Sequence, residues 1–397
     1  MTDAANQTQG AGSRRYQMLD VWRGVICLLV VLEHVGVTLW TGADQGAGWD
    51  GWIRMTVMRA LTLNIGTSMF FVISGYCIAS SLESARRKGI TPWEFLLRRA
   101  WRIFPTYWVA LFGFVALVAS LDAMGRPDLH RGPLALELES PSQLTGAQWI
   151  GNLTLTETWR PRVWGTHASV YTRVAWSLCY QEQFYAVCCL ILWLSPRRLF
   201  RGLAVASGFI LVARLVAWDS GALHRWDGTF PVRWHEFAVG LAAYWRLTAG
   251  LEGPAMGRRA VELGIGALAL IGICEGSASN TAAGLFGLSL IASHRWDALL
   301  SGLSWMAPLR ACGIRSFSIY LSHLPVTVVG NALLYQWGMT DYWVRALISV
   351  PLVSAAALAL GWFFYASIER RFTGTPALPR LSRRFRSSKP TLLPNPA

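Results

Sequence analysis

The chain has 397 residues, 53% of them hydrophobic and only 15% charged, with a formal net charge of +14. Soluble domains run near 25% charged, so this balance argues against a soluble enzyme, and it excludes a disordered chain and a small disulfide scaffold. The basic excess would suit nucleic acid, but its placement along the chain gives it another meaning.

Apolar residues fall in blocks of bilayer length. They predict spans at 18–40, 57–82, 104–121, 175–194, 202–218, 233–247, 260–275, 281–293, 316–336 and 343–367. The fold class is therefore all-α, a polytopic membrane bundle of about ten transmembrane helices. The 21 tryptophans fit, because indole rings favour the membrane–water interface. With both termini cytoplasmic, the inside segments hold 24 Lys/Arg and the outside segments 7. That is a strong positive-inside asymmetry. The charge is topological, and no nucleic-acid partner is expected.

Residues 1–17 read as a disordered cytoplasmic tail and 373–397 as a basic cytoplasmic tail. Between them, 18–372 forms one membrane domain. Arg14–Arg15 faintly resembles an export signal, but Arg23, Glu33 and His34 within the apolar stretch argue for an uncleaved first span. The longest non-membrane segment is the outside loop 121–174, rich in Pro, Gly and Trp and free of cysteine. No disulfide framework is expected. Residues 83–103 read as a basic helix lying along the interface ahead of the third span.

Charged side chains at mid-membrane cost about 2.5–3.5 kcal/mol on insertion scales, so those in the first span stand out. Arg23 and His34 are eleven residues apart, about 1100° of helical rotation, which places them on one face and about 16 Å apart. Arg23 could simply snorkel, and His34 could be a packed histidine. Facing a bundle interior, however, the imidazole is suited to general-base work. Glu33 lies about 100° around the helix.

Further along, Ser74–Gly75 would let two helices approach closely. Arg98, Arg99 and Arg102 stand beside a helix start at inner-surface depth, a setting for a phosphate-bearing anion. Ser177, Gln181, Glu182 and Tyr185 make the opening of the fourth span polar, which suggests a water-accessible cavity. Tyr320 and His323 recur in the ninth span, with His323 reckoned close to its inner half and therefore secondary. His235–Glu236 opens the sixth span and reads as an interfacial pair. No histidine or cysteine spacing fits a metal site, so none is expected.

In chain order, Arg23-x10-His34, Phe70-Phe-Val-Ile-Ser-Gly75, Arg98-Arg-x-x-Arg-Ile-x-Pro105, Trp176-Ser-Leu, Phe184-Tyr185 and Tyr320-Leu-x-His323 resemble acyltransferase family 3. These are bacterial integral-membrane O-acyltransferases acting on polysaccharides and related acceptors. The resemblance implies a ten-helix inner-membrane domain. It would move an acyl group, acetyl first among them, from cytoplasmic acyl-CoA to a hydroxyl of an extracytoplasmic carbohydrate or glycolipid. Acyl-CoA would be a co-substrate, with no cofactor bound permanently and membrane lipid as the surrounding partner.

By motif, Arg23 and His34 match the family's catalytic pair, while Arg99 and Arg102 match its inner arginine motif. Arg98 is expected to join them in holding the CoA phosphates. Ser74, Ser177, Glu182, Tyr185, Tyr320 and His323 are expected to line the cavity. The sequence departs from the family pattern at Gln181, where an acid is usual. It also departs at Thr67-Ser68-Met69, which lacks an Asp, and at Arg370–Arg371 in place of Arg-Pro.

Two other readings compete. In one, a transporter or flippase uses Arg23, Glu33 and His34 as a relay, although no inverted repeat is visible. In the other, a non-catalytic subunit docks partners through 122–174.

Overall fold

The computed structural model describes residues 16–40, 48–131, 140–220, 223–248, 250–251 and 254–373. Most of the two expected tails, 1–15 and 374–397, lies outside the described residues, as do 132–139 of the outside loop. Among the described residues the regular structure is entirely helical.

The main helices are α1 (Met18–Gly36), α2 (Gly48–Leu61), α3 (Gly66–Arg87), α4 (Pro92–Ala123), α5 (Trp176–Leu194) and α6 (Leu199–Asp219). They continue with α7 (Phe230–Leu247), α8 (Ala255–Cys274), α9 (Ala278–Ser293), α10 (Ala307–Ile314), α11 (Ser316–Gln336) and α12 (Val350–Ser367).

Among the described residues, six helical stretches are long and apolar enough to cross a membrane. They are Met18–Leu39, Gly48–Arg87, Pro92–Ala123, Pro196–Trp218, Ser316–Gln336 and Tyr342–Arg371. The chain is thus a multi-pass membrane protein. The other four expected spans fall on α5, α7, α8 and α9, which are shorter or more polar. The polar residues of α5 and α7, Ser177, Gln181, His235 and Glu236 among them, are buried against other helices. That is where a bilayer tolerates them. By contrast, α6 turns Val205, Phe209 and Leu215 outward.

Helices α3 and α7 pack backbone to backbone. A Cβ on Gly75 would overlap the Phe237 carbonyl, and one on Gly240 would overlap the Val72 carbonyl, so the two backbones touch. The small-residue approach expected at Ser74–Gly75 is present, and α7 supplies the matching glycine.

Three boundaries differ from hydropathy. The expected span 57–82 is two helices, broken where Asn64 takes the left-handed conformation (φ 52°), a residue type suited to ending a helix. The expected interfacial helix at 83–103 is instead the end of α3 and the first turns of α4. Thr91 caps α4 by accepting a hydrogen bond from the Glu94 amide (3.2 Å), with Pro92 in the first turn. The tenth span begins with a π-helical turn, Arg345–Ser349, whose Arg345 donates to the Thr38 carbonyl (2.7 Å).

The described part of the outside loop is ordered against the helices. Short helices Gly146–Thr154 and Arg160–Trp164 are held by Tyr107, which donates to the Asn152 carbonyl (2.8 Å). A buried Arg160–Glu157 ion pair (2.6 Å) also holds them.

Overfilling a tight contact commonly costs about 1–3 kcal/mol. Gly75→Val and Gly240→Val are therefore expected to lower the thermal unfolding midpoint of the solubilised protein sharply. Gly113→Val, with open space around its Cβ position, should leave the midpoint nearly unchanged.

Candidate active site

The site is built on the contact between α1 and the broken helix α10–α11. A Cβ on Gly24 would overlap the Leu309 carbonyl, and one on Gly313 would overlap the Asp20 carbonyl. There α10 runs against the direction of α1, and α11 then turns to run parallel to it. Cys27 Sγ meets the Ser316 carbonyl (3.9 Å), and seven residues further on the rings of His34 and His323 lie 5.0 Å apart at 71°. His323, in the first half of α11 as the sequence suggested, thus sits beside His34 near the far end of α1. The reason is that α10 occupies the first turns of the crossing and α11 starts deep.

Each imidazole is held in one orientation. His34 Nδ1 donates to the Val30 carbonyl (2.8 Å) and His323 Nδ1 to the Ile319 carbonyl (3.1 Å). A neutral ring with a protonated Nδ1 carries its lone pair on Nε2. His323 is fully buried, and its Nε2 has no hydrogen-bond partner among the described residues. The pair therefore presents proton-accepting nitrogens in a largely enclosed place.

Toward the basic end of the bundle, two cavities adjoin. The outer one, about 410 Å³, is lined by Lys88, Arg98, Arg99 and Arg102 with Ser81 and Ser84. The second, about 110 Å³, shares Arg99 and Arg102 and adds Arg23, Gln181, Tyr185 and Glu369. Arg99 is fixed by donating to Ser81 Oγ (2.7 Å) and by lying over the Tyr185 ring at 5.0 Å.

Arg86 and Arg87 share one carboxylate, Glu83 (2.8 and 2.7 Å). Arg98, Arg99 and Arg102 have no carboxylate at ion-pair distance among the described residues. Guanidinium groups around a cavity that are not taken up in direct ion pairs suit an anion that brings several acceptor oxygens.

Arg23 is partly committed. It donates to Asp20 (3.1 Å) and to Cys77 Sγ (2.9 Å). Glu369 is buried and accepts from the Ser318 amide (3.1 Å) and hydroxyl (2.5 Å).

A third, narrow void of about 20 Å³ continues from Arg23 along Ile26 and Val30 to Phe70 and Tyr320. It ends one helical turn below both histidines. Phe70 and Tyr320 are stacked there, 5.8 Å apart at 4°. Ser177 and Tyr320 share a hydrogen bond (2.7 Å), and Tyr320 donates to the Val174 carbonyl (2.5 Å). Their hydroxyls are therefore committed to each other and to the backbone.

The remaining expected residues divide. Ser74 accepts from Gln181 (3.0 Å) at the cavity wall, so position 181 acts here as an amide donor. Glu182 lies beside that wall without lining either cavity, and its Oε1 is buried without a partner among the described residues. His235–Glu236 is not interfacial. Both are buried, Glu236 accepting from Ser68 (3.1 Å) and Arg233 (2.8 Å), His235 bonded to Asn280 (2.8 Å). Sequence reasoning passed over Phe70, Cys77 and Ser318 as individual residues, because none is costly in a membrane.

An arginine-lined cavity and a narrow void that ends one turn short of a histidine pair, within a multi-pass helical bundle, define a membrane protein with room for an anionic ligand near a base. Its sequence matches the family model for the acyltransferase domain over residues 16–366, and the chain belongs to that family. It is similar to BcsY of Komagataeibacter xylinus, by name a membrane-bound transacylase. That likeness is 25% identity over 81% of this chain and 75% of the relative.

It is also similar to the exopolysaccharide production protein ExoZ of Rhizobium meliloti, 29% identical over 74% of this chain and 86% of the relative. The O-acetyltransferase OatA of Staphylococcus aureus is 24% identical over 79% of this chain, which spans about half of that protein (52%). No solved structure matches the chain. The protein is an O-acyltransferase of the membrane.

Removing the Ser318 hydroxyl leaves a buried carboxylate short of a donor, a loss of about 1–3 kcal/mol. Ser318→Ala is expected to destabilise the protein by that order. The double variant Ser318→Ala/Glu369→Leu should cost less than the sum of the single changes. Equilibrium unfolding in detergent micelles checks both.

Proposed function

We propose that this protein transfers an acyl group from cytoplasmic acyl-CoA to a hydroxyl of an extracytoplasmic glycan or glycolipid, working in the inner cell membrane. The topology that goes with this reading has ten spans within 18–372 and both termini in the cytoplasm. The observation that carries it is the succession of cavities from Lys88 and Arg98, past Arg99, Arg102 and Arg23, to the turn below His34 and His323. Such a route suits a ligand with phosphates at one end and a thioester at the other.

In this mechanism Arg98, Arg99 and Arg102 bind the phosphates, and Arg23 flanks the arm of the donor. His34 Nε2 takes the proton from the acceptor hydroxyl as its oxygen attacks the thioester carbonyl. The tetrahedral adduct then collapses, the C–S bond breaks, and the imidazolium returns its proton to the departing thiolate. His323, without a competing partner at Nε2, keeps the base in an apolar, water-poor place.

OatA, named as an O-acetyltransferase, and ExoZ, named for exopolysaccharide production, support the acceptor class.

A general base contributes about 10²–10⁴-fold. His34→Gln is therefore expected to lose at least about 100-fold of the transfer of radiolabelled acetyl from acetyl-CoA to the glycan or lipid fraction of membrane vesicles. Arg99→Ala and Arg102→Ala should chiefly raise the KM for acetyl-CoA. Full transfer by folded His34→Gln would remove the base assignment. No transfer by the wild type from any acyl-CoA would favour a transport role.

A further inference from the structure

We propose that Phe70 and Tyr320 form the acyl-length selector of the transferase, admitting an acetyl group to the histidine pair and excluding longer chains. The inference rests on the donor reading above and deepens it by naming the acyl class.

The selector sits where the void lined by Arg23, Ile26, Val30, Phe70 and Tyr320 ends. Val30 supplies the carbonyl that orients His34, and the Tyr320 ring lies 6.0 Å from that of His323. An acyl terminus arriving from the basic end therefore stops against this ring pair, one helical turn below His34. The void holds about 20 Å³, little more than the space that one water-sized group needs. A methyl group beyond the carbonyl fits such a space. A chain of five carbons does not.

The walls differ in how readily they yield. Tyr320 is pinned at its hydroxyl by Ser177 and by the Val174 carbonyl, so its ring cannot swing aside without breaking two buried hydrogen bonds. Ile26 and Val30 belong to α1 and are buried, with Val30 packed onto Gly66 of α3. Phe70 has no polar anchor. It borders both this void and the larger cavity with Arg23 and Arg102, is only partly buried, and is held by apolar packing that includes a stack on Tyr320 and a tilted contact with Phe71. Truncating Phe70 should therefore join the two spaces, while the fixed Tyr320 wall remains.

One methylene too many in an apolar pocket discriminates by about 10–200-fold. With four additional carbons, hexanoyl-CoA should be used at least about 100-fold less well than acetyl-CoA by the wild type.

The test compares kcat/KM for acyl-labelled acetyl-CoA and hexanoyl-CoA in membrane vesicles carrying the full chain, scored as label in the endogenous glycan and glycolipid fraction. Phe70→Ala is expected to raise the hexanoyl-to-acetyl ratio by at least about 10-fold. Ile26→Ala, on the opposite wall, should move the ratio in the same direction and serves if Phe70→Ala fails to fold. Because each ratio is internal to one variant, lower expression does not affect it.

A wild type that uses both donors equally would overturn the selector. So would acetyl-preferring variants with an unchanged ratio, and in both cases the donor reading would stand. A wild type that takes label from neither donor would overturn the donor reading and the selector with it.

Discussion

Where α1 crosses α10, Gly24 and Gly313 leave no side chain between two helix backbones, and the rest of the site is arranged by that approach. Past this contact α11 runs parallel to α1, which keeps the registers of those two helices matched over two turns. Residues equally spaced from the crossing therefore meet, Cys27 with Ser316 and then His34 with His323. Arg23, adjacent to Gly24, is carried to the wall of the inner cavity by the same contact. A side chain at either glycine would push the helices apart and separate the histidines. The break between α10 and α11 is equally necessary, because it starts the second helix deep enough for His323 to reach the depth of His34.

Charge is distributed unevenly along this frame. Several arginines that hold the fold have carboxylate partners, as Arg86 and Arg87 do with Glu83, Arg160 with Glu157 and Arg233 with Glu236, and others donate to backbone carbonyls, as Arg310 does to Ser301. Arg98, Arg99 and Arg102 face a cavity without such partners among the described residues. Crowding like charges is unfavourable unless an anion completes the set, so this end of the molecule is prepared for a ligand that it does not itself supply. From there the lining turns apolar and narrow toward the histidines, in the order that a polyanionic carrier with a small acyl terminus requires.

Much of this was legible in the sequence because a membrane makes costly residues conspicuous. Helical geometry alone put Arg23 and His34 on one face, and each apolar block fell on a helix, although the starts of α2 and α4 lie about ten residues earlier than expected. What escaped had definite physical causes. Hydropathy cannot detect a break made by a left-handed Asn64, nor that residues 92–103 continue into α4. It also could not show that α11, which starts at Ser316 as expected, begins beside Cys27 and so brings His323 to His34. His235–Glu236 looked interfacial from its position at a helix start, yet α3 and α9 cover it and provide Ser68 and Asn280. Phe70 was visible only as part of a motif, because a phenylalanine in a membrane span costs nothing and so attracts no notice.

The central claim, that an acyl-CoA threads from the arginines to the histidine pair, is tested most directly by a structure of the full chain with a thioether analogue of acetyl-CoA. The account predicts the phosphates among Arg98, Arg99 and Arg102, the arm passing Arg23, and the acyl end at Phe70 and Tyr320 beneath His34. An analogue seated at the opposite end of the bundle, or with its acyl terminus directed away from His34, would contradict it.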